Sequence, residues 1–485
     1  MRGVSERRPN VVLFVVDDMG WTDSGAYGSA YYETPNIDAL ARAGTMFTDA
    51  YAASPLCSPT RASLLTGKYP ARLGVTAPDG HLHGPDDLPP YPESAPPNRR
   101  MISPQSRRHL PPGEPTLAAT LRDAGYRTGH FGKWHLGAPE RHWPERRGFD
   151  VALHGVPDPG PPRPNGYWSP YSFRKGTITP GRDGEYLTDR LGEEAARFVA
   201  DSADRPFFLN LWHFAVHGPW DHREEHTREL AARRDPRGVQ GNPIMASMLR
   251  SVDESLGRVL AALRDNGLTE NTIVVLTSDH GGNVRSNLPG YWRAMGQDER
   301  RREDWLRWAD GLAPTSNAPL RDGKGSLYEG GVRVPLIVAW PAGARAGVTT
   351  ADPVMSADLF PTLVDLLGLP APEGGRFDGT SFAGVLAGGA GPQRECIFNF
   401  QPNDKAALRP AASVRRGRWK LIRWLTPGSE PARELYDLEA DIGETRDMAG
   451  EEGALADELD ALIDGFFEDT GALLPIPNPA YEGGA

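Results

Sequence analysis

Apolar residues recur with two periods along this 485-residue chain. The run Val11-Val12-Leu13-Phe14-Val15-Val16 is unbroken and largely β-branched, as expected of a strand covered on both faces in a parallel sheet, and it ends at Asp17-Asp18. Residues 206–212, 272–276 and 335–340 are further largely apolar runs, and 126–131 reads as another strand. Between them the period lengthens. Residues 34–44 read as an N-cap, a proline in the first turn, apolar spacing and a glycine stop, and residues 114–124 end at Gly125. The stretch 244–266 places Met245, Met248, Leu249, Val252, Leu256, Val259, Leu260 and Leu263 on one face before Gly267. Strands alternating with helices predict an α/β sandwich with a large, mostly parallel central sheet flanked by helices.

Beyond Gly374-Gly375 the texture changes. Residues 413–424 read as a hairpin turning at Arg416-Gly417, Glu434-Leu435-Tyr436-Asp437-Leu438 as another strand, and 455–467 as a helix. A smaller C-terminal α+β subdomain with an antiparallel sheet, 376–485, is expected beside a catalytic domain over 1–375. The length fits this division, because one hydrophobic core stops growing near 250–300 residues, roughly. With 55 glycines and 46 prolines the chain is rich in loops, and 77–108, 155–183 and 284–319 are long enough to carry function.

A net charge of -11 argues against a nucleic-acid partner, which needs a basic face. The first apolar run is six residues long, too short for a signal-peptide core of about 7–15 residues or a membrane span of about 20. No other stretch qualifies, so no membrane partner is expected and the chain as written reads as soluble and cytoplasmic; a leader already removed would leave the same picture. Two cysteines, Cys57 and Cys396, make no disulfide framework, although one bridge between them is open.

Chemistry gathers where strands end, because ligands of parallel sheets collect at the carboxyl edge. Asp17, Asp18 and Asp279 are three carboxylates delivered by two strand ends, the donor type of a hard divalent cation; as bland turn acids they would repel one another. His280 follows Asp279, and an imidazole is an uncommon partner for calcium. Lys133 and His135 follow the strand at 126–131, and His217 follows the one at 206–212. His213, four residues earlier, reads as a buried structural histidine. Cys57-Ser58-Pro59-Thr60-Arg61 leads into Ala62-Ser63-Leu64-Leu65-Thr66-Gly67, a turn feeding a short helix, so the thiol sits at a helix N-terminus that favours an anion, with Arg61 one turn on.

This loop resembles the sulfatase motif Cys-x-Pro-x-Arg followed by Ala-x-Leu-x-Thr-Gly. Gly132-Lys133-Trp134-His135-Leu136-Gly137 is similar to the family's Gly-Lys-Trp-His-Leu-Gly. His217-Gly218-Pro219, Arg321-Asp322-Gly323-Lys324 and Glu329-Gly330-Gly331-Val332-Arg333-Val334-Pro335 follow in family order, and Glu434-Leu435-Tyr436-Asp437-Leu438 resembles the C-terminal element. The resemblance implies a formylglycine-dependent, arylsulfatase-like enzyme of the alkaline phosphatase superfamily. It implies that a formylglycine-generating enzyme oxidises Cys57, and that the hydrated aldehyde attacks sulfur while a divalent ion, Ca2+ ahead of Mg2+ or Mn2+, is held by Asp17, Asp18, Asp279, His280 and the modified Cys57. It further implies that Lys133 and Lys324 bind sulfate, that Arg61 adds fixed charge, that His135 exchanges a proton with the diol, and that His217 protonates the departing alcohol. Arg333 and Glu329 read as a structural ion pair.

The implied substrate is a small sulfate monoester, an aryl sulfate or a sulfated saccharide. A phosphate or phosphonate ester hydrolase of the same superfamily, and an inactive binder of sulfated glycans, are the rivals. The family serine that touches sulfate after Gly148-Phe149-Asp150 has no clear counterpart, since this chain continues to Pro157-Asp158-Pro159. Trp220, Asp221, His222, Trp292 and Arg293 are candidate sugar contacts.

Overall fold

A computed structural model of the chain describes residues 8–285, 307–309, 311–372, 374–392, 394–404 and 408–482. Its main sheet has eight strands, in the spatial order Val348–Thr350, Thr45–Phe47, Leu336–Ala339, Thr272–Ser278, Asn10–Val16, Phe207–Trp212, Arg127–Gly132 and Val151–His154. Leu336–Ala339 pairs antiparallel with both of its neighbours, and the other pairings are parallel. The expected mostly parallel sheet is therefore present. Asn10–Val16 lies at its centre and every residue in it is buried, which is why its sequence shows no polar alternation.

Helices cover both faces. On one, Leu187–Ala200 and Pro243–Asp265 pack with Phe14, Val16, Leu209 and Leu276; on the other, the helices Cys57–Thr66, Leu117–Asp123 and Leu359–Leu366 pack with Val11, Leu13, Val15 and Val275. Boundaries moved where a polar side chain claims the orphan donors of a first turn. The Asn242 side chain accepts from Ile244 N and Met245 N, so that helix begins at Pro243. The Thr116 hydroxyl accepts from Ala119 N and sets the next start at Leu117, three residues later than expected from position 114.

A second sheet of four antiparallel strands, Ile397–Gln401, Ala411–Arg416, Trp419–Trp424 and Arg433–Asp437, carries the helix Gly453–Thr470. Its hairpin turns where anticipated, with Gly417 at φ 57°. This sheet shares a core with the main body: Tyr51, Tyr69, Leu327 and Tyr328 pack with Val414, Leu421, Leu435 and Ile463. No helix among the described residues is long and apolar enough to cross a membrane.

Candidate active site

Register aligns the chemistry. Val16 stands opposite Ser278, Val15 opposite Trp212, and Gly132 opposite Trp212, so Asp17, Asp279, Lys133 and His213 all leave the sheet at one level of its carboxyl edge. Backbone bonds hold the connections together past the strands. Val216 N donates to Asp17 O at 2.7 Å, which brings His217 alongside, and Lys324 N donates to Gly282 O at 3.0 Å. Gly325 N reaches Pro55 O at 3.0 Å, linking the lysine loop to the turn before Cys57. The helix Cys57–Thr66 is buried throughout, with Cys57 as its first residue and Gly67, left-handed at φ 68°, as its stop.

Around Cys57 the carboxylates and cations alternate. The thiol lies 3.2 Å from His280 Nε2 and 3.7 Å from Asp17 Oδ1. Lys133 Nζ donates to Asp17 Oδ2, Lys324 Nζ to Asp18 Oδ1 at 2.7 Å, and Arg61 Nη2 to Asp279 Oδ2 at 2.8 Å. Arg61 Nη1 also donates to Lys133 O at 3.1 Å, and its guanidinium stands over Trp212. Arg61 is therefore a buried clamp on the acids. Lys324 keeps 19% of its side chain exposed, whereas Lys133 is fully buried.

Among the described residues, Asp17, Asp18, Cys57 and His280 bring one donor atom each within 4.8 Å of one another. Asp279 Oδ1 lies toward the same place, accepting from Asp18 N at 3.3 Å and 3.6 Å from His280 Nε2. Asp18 Oδ2 is buried without a hydrogen-bond partner among the described residues, an orphaned acceptor that a cation would satisfy. His280 Nδ1 is 3.0 Å from Gly281 O, which holds the Nδ1 proton; against burial, Asp279 and Cys57 raise the ring to about 9, so a cation at Nε2 would take the place of the second proton. The donor set fits a divalent ion.

Electrostatics keep the acids charged. Burial opposes ionisation of Asp17, but Lys133, His217, Arg61 and Lys324 outweigh it and hold the carboxyl well below the ordinary range. Asp18 is likewise lowered against burial by Lys324 and His217. Burial, with Lys324 and Lys133, pulls His217 down to about 4, so this half-buried imidazole is neutral at rest. His135 is pushed well below its usual value by burial, Lys133, His81 and Arg61.

Other expectations resolve as follows. His213 is a core histidine, buried against Phe14 with Nε2 3.0 Å from Ser255 Oγ. Arg333 and Glu329 do pair, at 3.2 Å. Cys57 and Cys396 are both free thiols. Asp221 is occupied by Tyr167 N and Arg163, His222 lies 2.7 Å from Thr227 Oγ1, and Trp220 packs against the main core. Trp292 and Arg293 lie outside the described residues. Asp158, near the place of the family serine, is paired with Arg174.

Sequence reasoning missed His81, whose Nδ1 lies 3.0 Å from His135 Nε2. Its only signal was a histidine within the loop 77–108, which has no periodicity. A second metal-competent group, Asp86 with His109 and His142, was also missed. Those two rings stack at 3.8 Å and 7°, and both Nε2 atoms meet Asp86 Oδ1, at 3.4 Å from His109 and 3.0 Å from His142. Together with Arg141, the group pins the loop.

The sulfatase family profile matches residues 9–369, which is most of the chain and contains every residue placed at this edge. The chain belongs to the sulfatase family. A profile described as N-sulphoglucosamine sulphohydrolase, C-terminal, matches residues 322–463 of this sulfatase. Arylsulfatase A of Homo sapiens is 33% identical over 499 residues, covering 94% of this chain and 86% of that protein. The N-acetylgalactosamine-6-sulfatase of Canis lupus familiaris is 32% identical over 455 residues, covering 89% and 74%. The crystal structure of Ps i-CgsB in complex with k-i-k-neocarrahexaose superposes with a TM-score of 0.74 at 27% identity, covering 98% of this chain and 95% of that one. The sulfatase is thus a sulfuric ester hydrolase whose family implies a divalent metal and formylglycine at Cys57.

Proposed function

We propose that this sulfatase removes sulfate from a small sulfated saccharide, with Ca2+ held by Asp17, Asp18, Asp279, His280 and the modified Cys57. The observation that carries the reading is Cys57, first residue of a buried helix, 3.2 Å from His280 Nε2 and beside Asp17. Relatives named for N-acetylgalactosamine 6-sulfate and a superposing structure holding a neocarrahexaose favour a saccharide over a simple aryl ester.

Formylglycine supplies a hydrated aldehyde oxygen as nucleophile, and the ion supplies positive charge to the oxygens around it. The chain's own groups do the rest. Lys324, partly exposed, meets a sulfate oxygen, and Lys133 stabilises charge that grows on the transferred group. Arg61 holds Asp279 and Asp17 in place for the ion. His217 donates from Nδ1 to Gly218 O at 2.7 Å, so the neutral ring presents a bare Nε2 and takes up a proton there before passing it to the leaving oxygen. His135 exchanges a proton with the nucleophile.

The test uses protein produced with the modifying enzyme. Mass spectrometry of the peptide containing Cys57 is expected to show aldehyde, and kcat/KM on 4-nitrophenyl sulfate to exceed that on 4-nitrophenyl phosphate. A panel of sulfated monosaccharides then ranks the sugar. An intact thiol with no turnover, or a strong phosphate preference, overturns the reading.

A further inference from the structure

The mechanism above leaves one imidazole at the site unused. His81 sits on the loop 77–108, half-buried, with its ring centroid 5.2 Å from that of His135. Its Nδ1 lies 3.0 Å from His135 Nε2 and 3.1 Å from Pro78 O. A carbonyl oxygen only accepts, so Pro78 O favours the proton on His81 Nδ1, and His135 Nε2 is then the acceptor. That fixes the neighbour's tautomer. The remaining proton of neutral His135 falls on Nδ1, which is buried and meets no partner among the described residues. It is the atom left to face a reacting oxygen.

The contact is built into the backbone. Gly80 passes so close to the His135 turn that a Cβ there would stand 1.8 Å from His135 O. Gly137 N donates to Gly80 O at 3.1 Å, and Ser58 Oγ donates to His135 O at 2.7 Å. His135 itself is left-handed at φ 59°, a conformation that persists only when its surroundings hold it. The segment 78–81 and the turn at His135 therefore form one unit, anchored further along by Asp86, Arg141 and His142.

We propose that His81 is a positioning residue for His135 and the outer ring of a two-imidazole proton relay between the reacting oxygen and water. The proposal rests on the sulfatase reading above. Inward, water gives a proton to His81 Nε2, the Nδ1 proton of His81 passes to His135 Nε2, and the Nδ1 proton of His135 goes to the reacting oxygen. Outward, the same three transfers run in reverse. Each ring carries one proton before and after, so no imidazolium is formed. That matters here, because burial and the Lys133 and Arg61 cations make a second proton on His135 unfavourable.

Two readouts test this, one independent of turnover. In protein with unmodified Cys57, 15N NMR of the imidazoles is expected to show His81 Nδ1 protonated, His135 Nε2 as acceptor, and a coupling between them. Absence of that coupling overturns the proposal. In modified protein, H81F is expected to lower kcat on 4-nitrophenyl sulfate about 100-fold with KM within about twofold, and to change a curved proton inventory in mixed H2O and D2O to a linear one. H81N, which can donate to His135 but cannot pass a proton on, is expected to keep the His135 tautomer while losing the same kcat. Unchanged kcat in both variants, or a rise in KM alone, overturns the relay. A wild-type enzyme inactive on every sulfate ester with the NMR coupling intact would instead sink the sulfatase reading.

Discussion

Lys324 and Lys133 both neutralise an aspartate, but they differ in what substrate can reach. Lys324 is the partly exposed one, so Lys324→Ala is expected to cost about 10²–10³ in kcat/KM, measured on 4-nitrophenyl sulfate, and to lower the melting temperature, because buried Asp18 loses its paired cation. Removing the ion should act differently. Arg61, Lys133 and Lys324 already face Asp17, Asp18 and Asp279, so a chelator is expected to abolish turnover and leave the far-UV circular dichroism spectrum unchanged. Asp23 provides the pH dependence. It is buried with Thr315, Gly20 and Gln240 as donors and no cation, and burial raises its carboxyl to about 6. Between the unfolded value near 3.9 and the folded value the native state binds more protons, so this group's contribution to stability falls as pH rises, by about 3 kcal/mol in all. Urea denaturation from pH 4 to 8 checks it, and the slope should flatten in Asp23→Asn.

At the scale of elements, caps decide boundaries. Asn242→Ala removes the acceptor for two first-turn amides of Pro243–Asp265 and is expected to cost about 1 kcal/mol in urea denaturation, with kcat unchanged. The same scale separates what was legible from what was not. Val11–Val16 could be read because a strand buried on both faces has no polar position, and Asp17 and Asp279 because acids at such strand ends have few structural uses. Lys133, His135 and His217 were marked by their strand ends and given roles through motif resemblance, whereas Lys324 was found through the motif alone, since a lysine in a turn is silent to periodicity. The strands Thr45–Phe47 and Val348–Thr350, at one end of the sheet, span three residues each, too few for a pattern. His81 was illegible for another reason: its partner is 54 residues away and a close approach at Gly80 joins them, which spacing along the chain does not encode.

Across the whole molecule, a buried ion network joins the C-terminal sheet to the main body. Lys420 Nζ bonds Glu329 at 2.8 Å and Glu444 at 2.9 Å, all three side chains almost fully buried. Breaking such a set by removing one partner leaves charge uncompensated, so Lys420→Met is expected to cost about 3–5 kcal/mol, read as a lowered denaturation midpoint. Asp18 and Lys324, whose side chains meet at 2.7 Å, are separated by 306 positions. The counter-charge of Asp18 thus enters the chain only once about two thirds of the polypeptide has been synthesised. Turnover thus requires the chain through Lys324, and no amino-terminal fragment ending short of that lysine should show any.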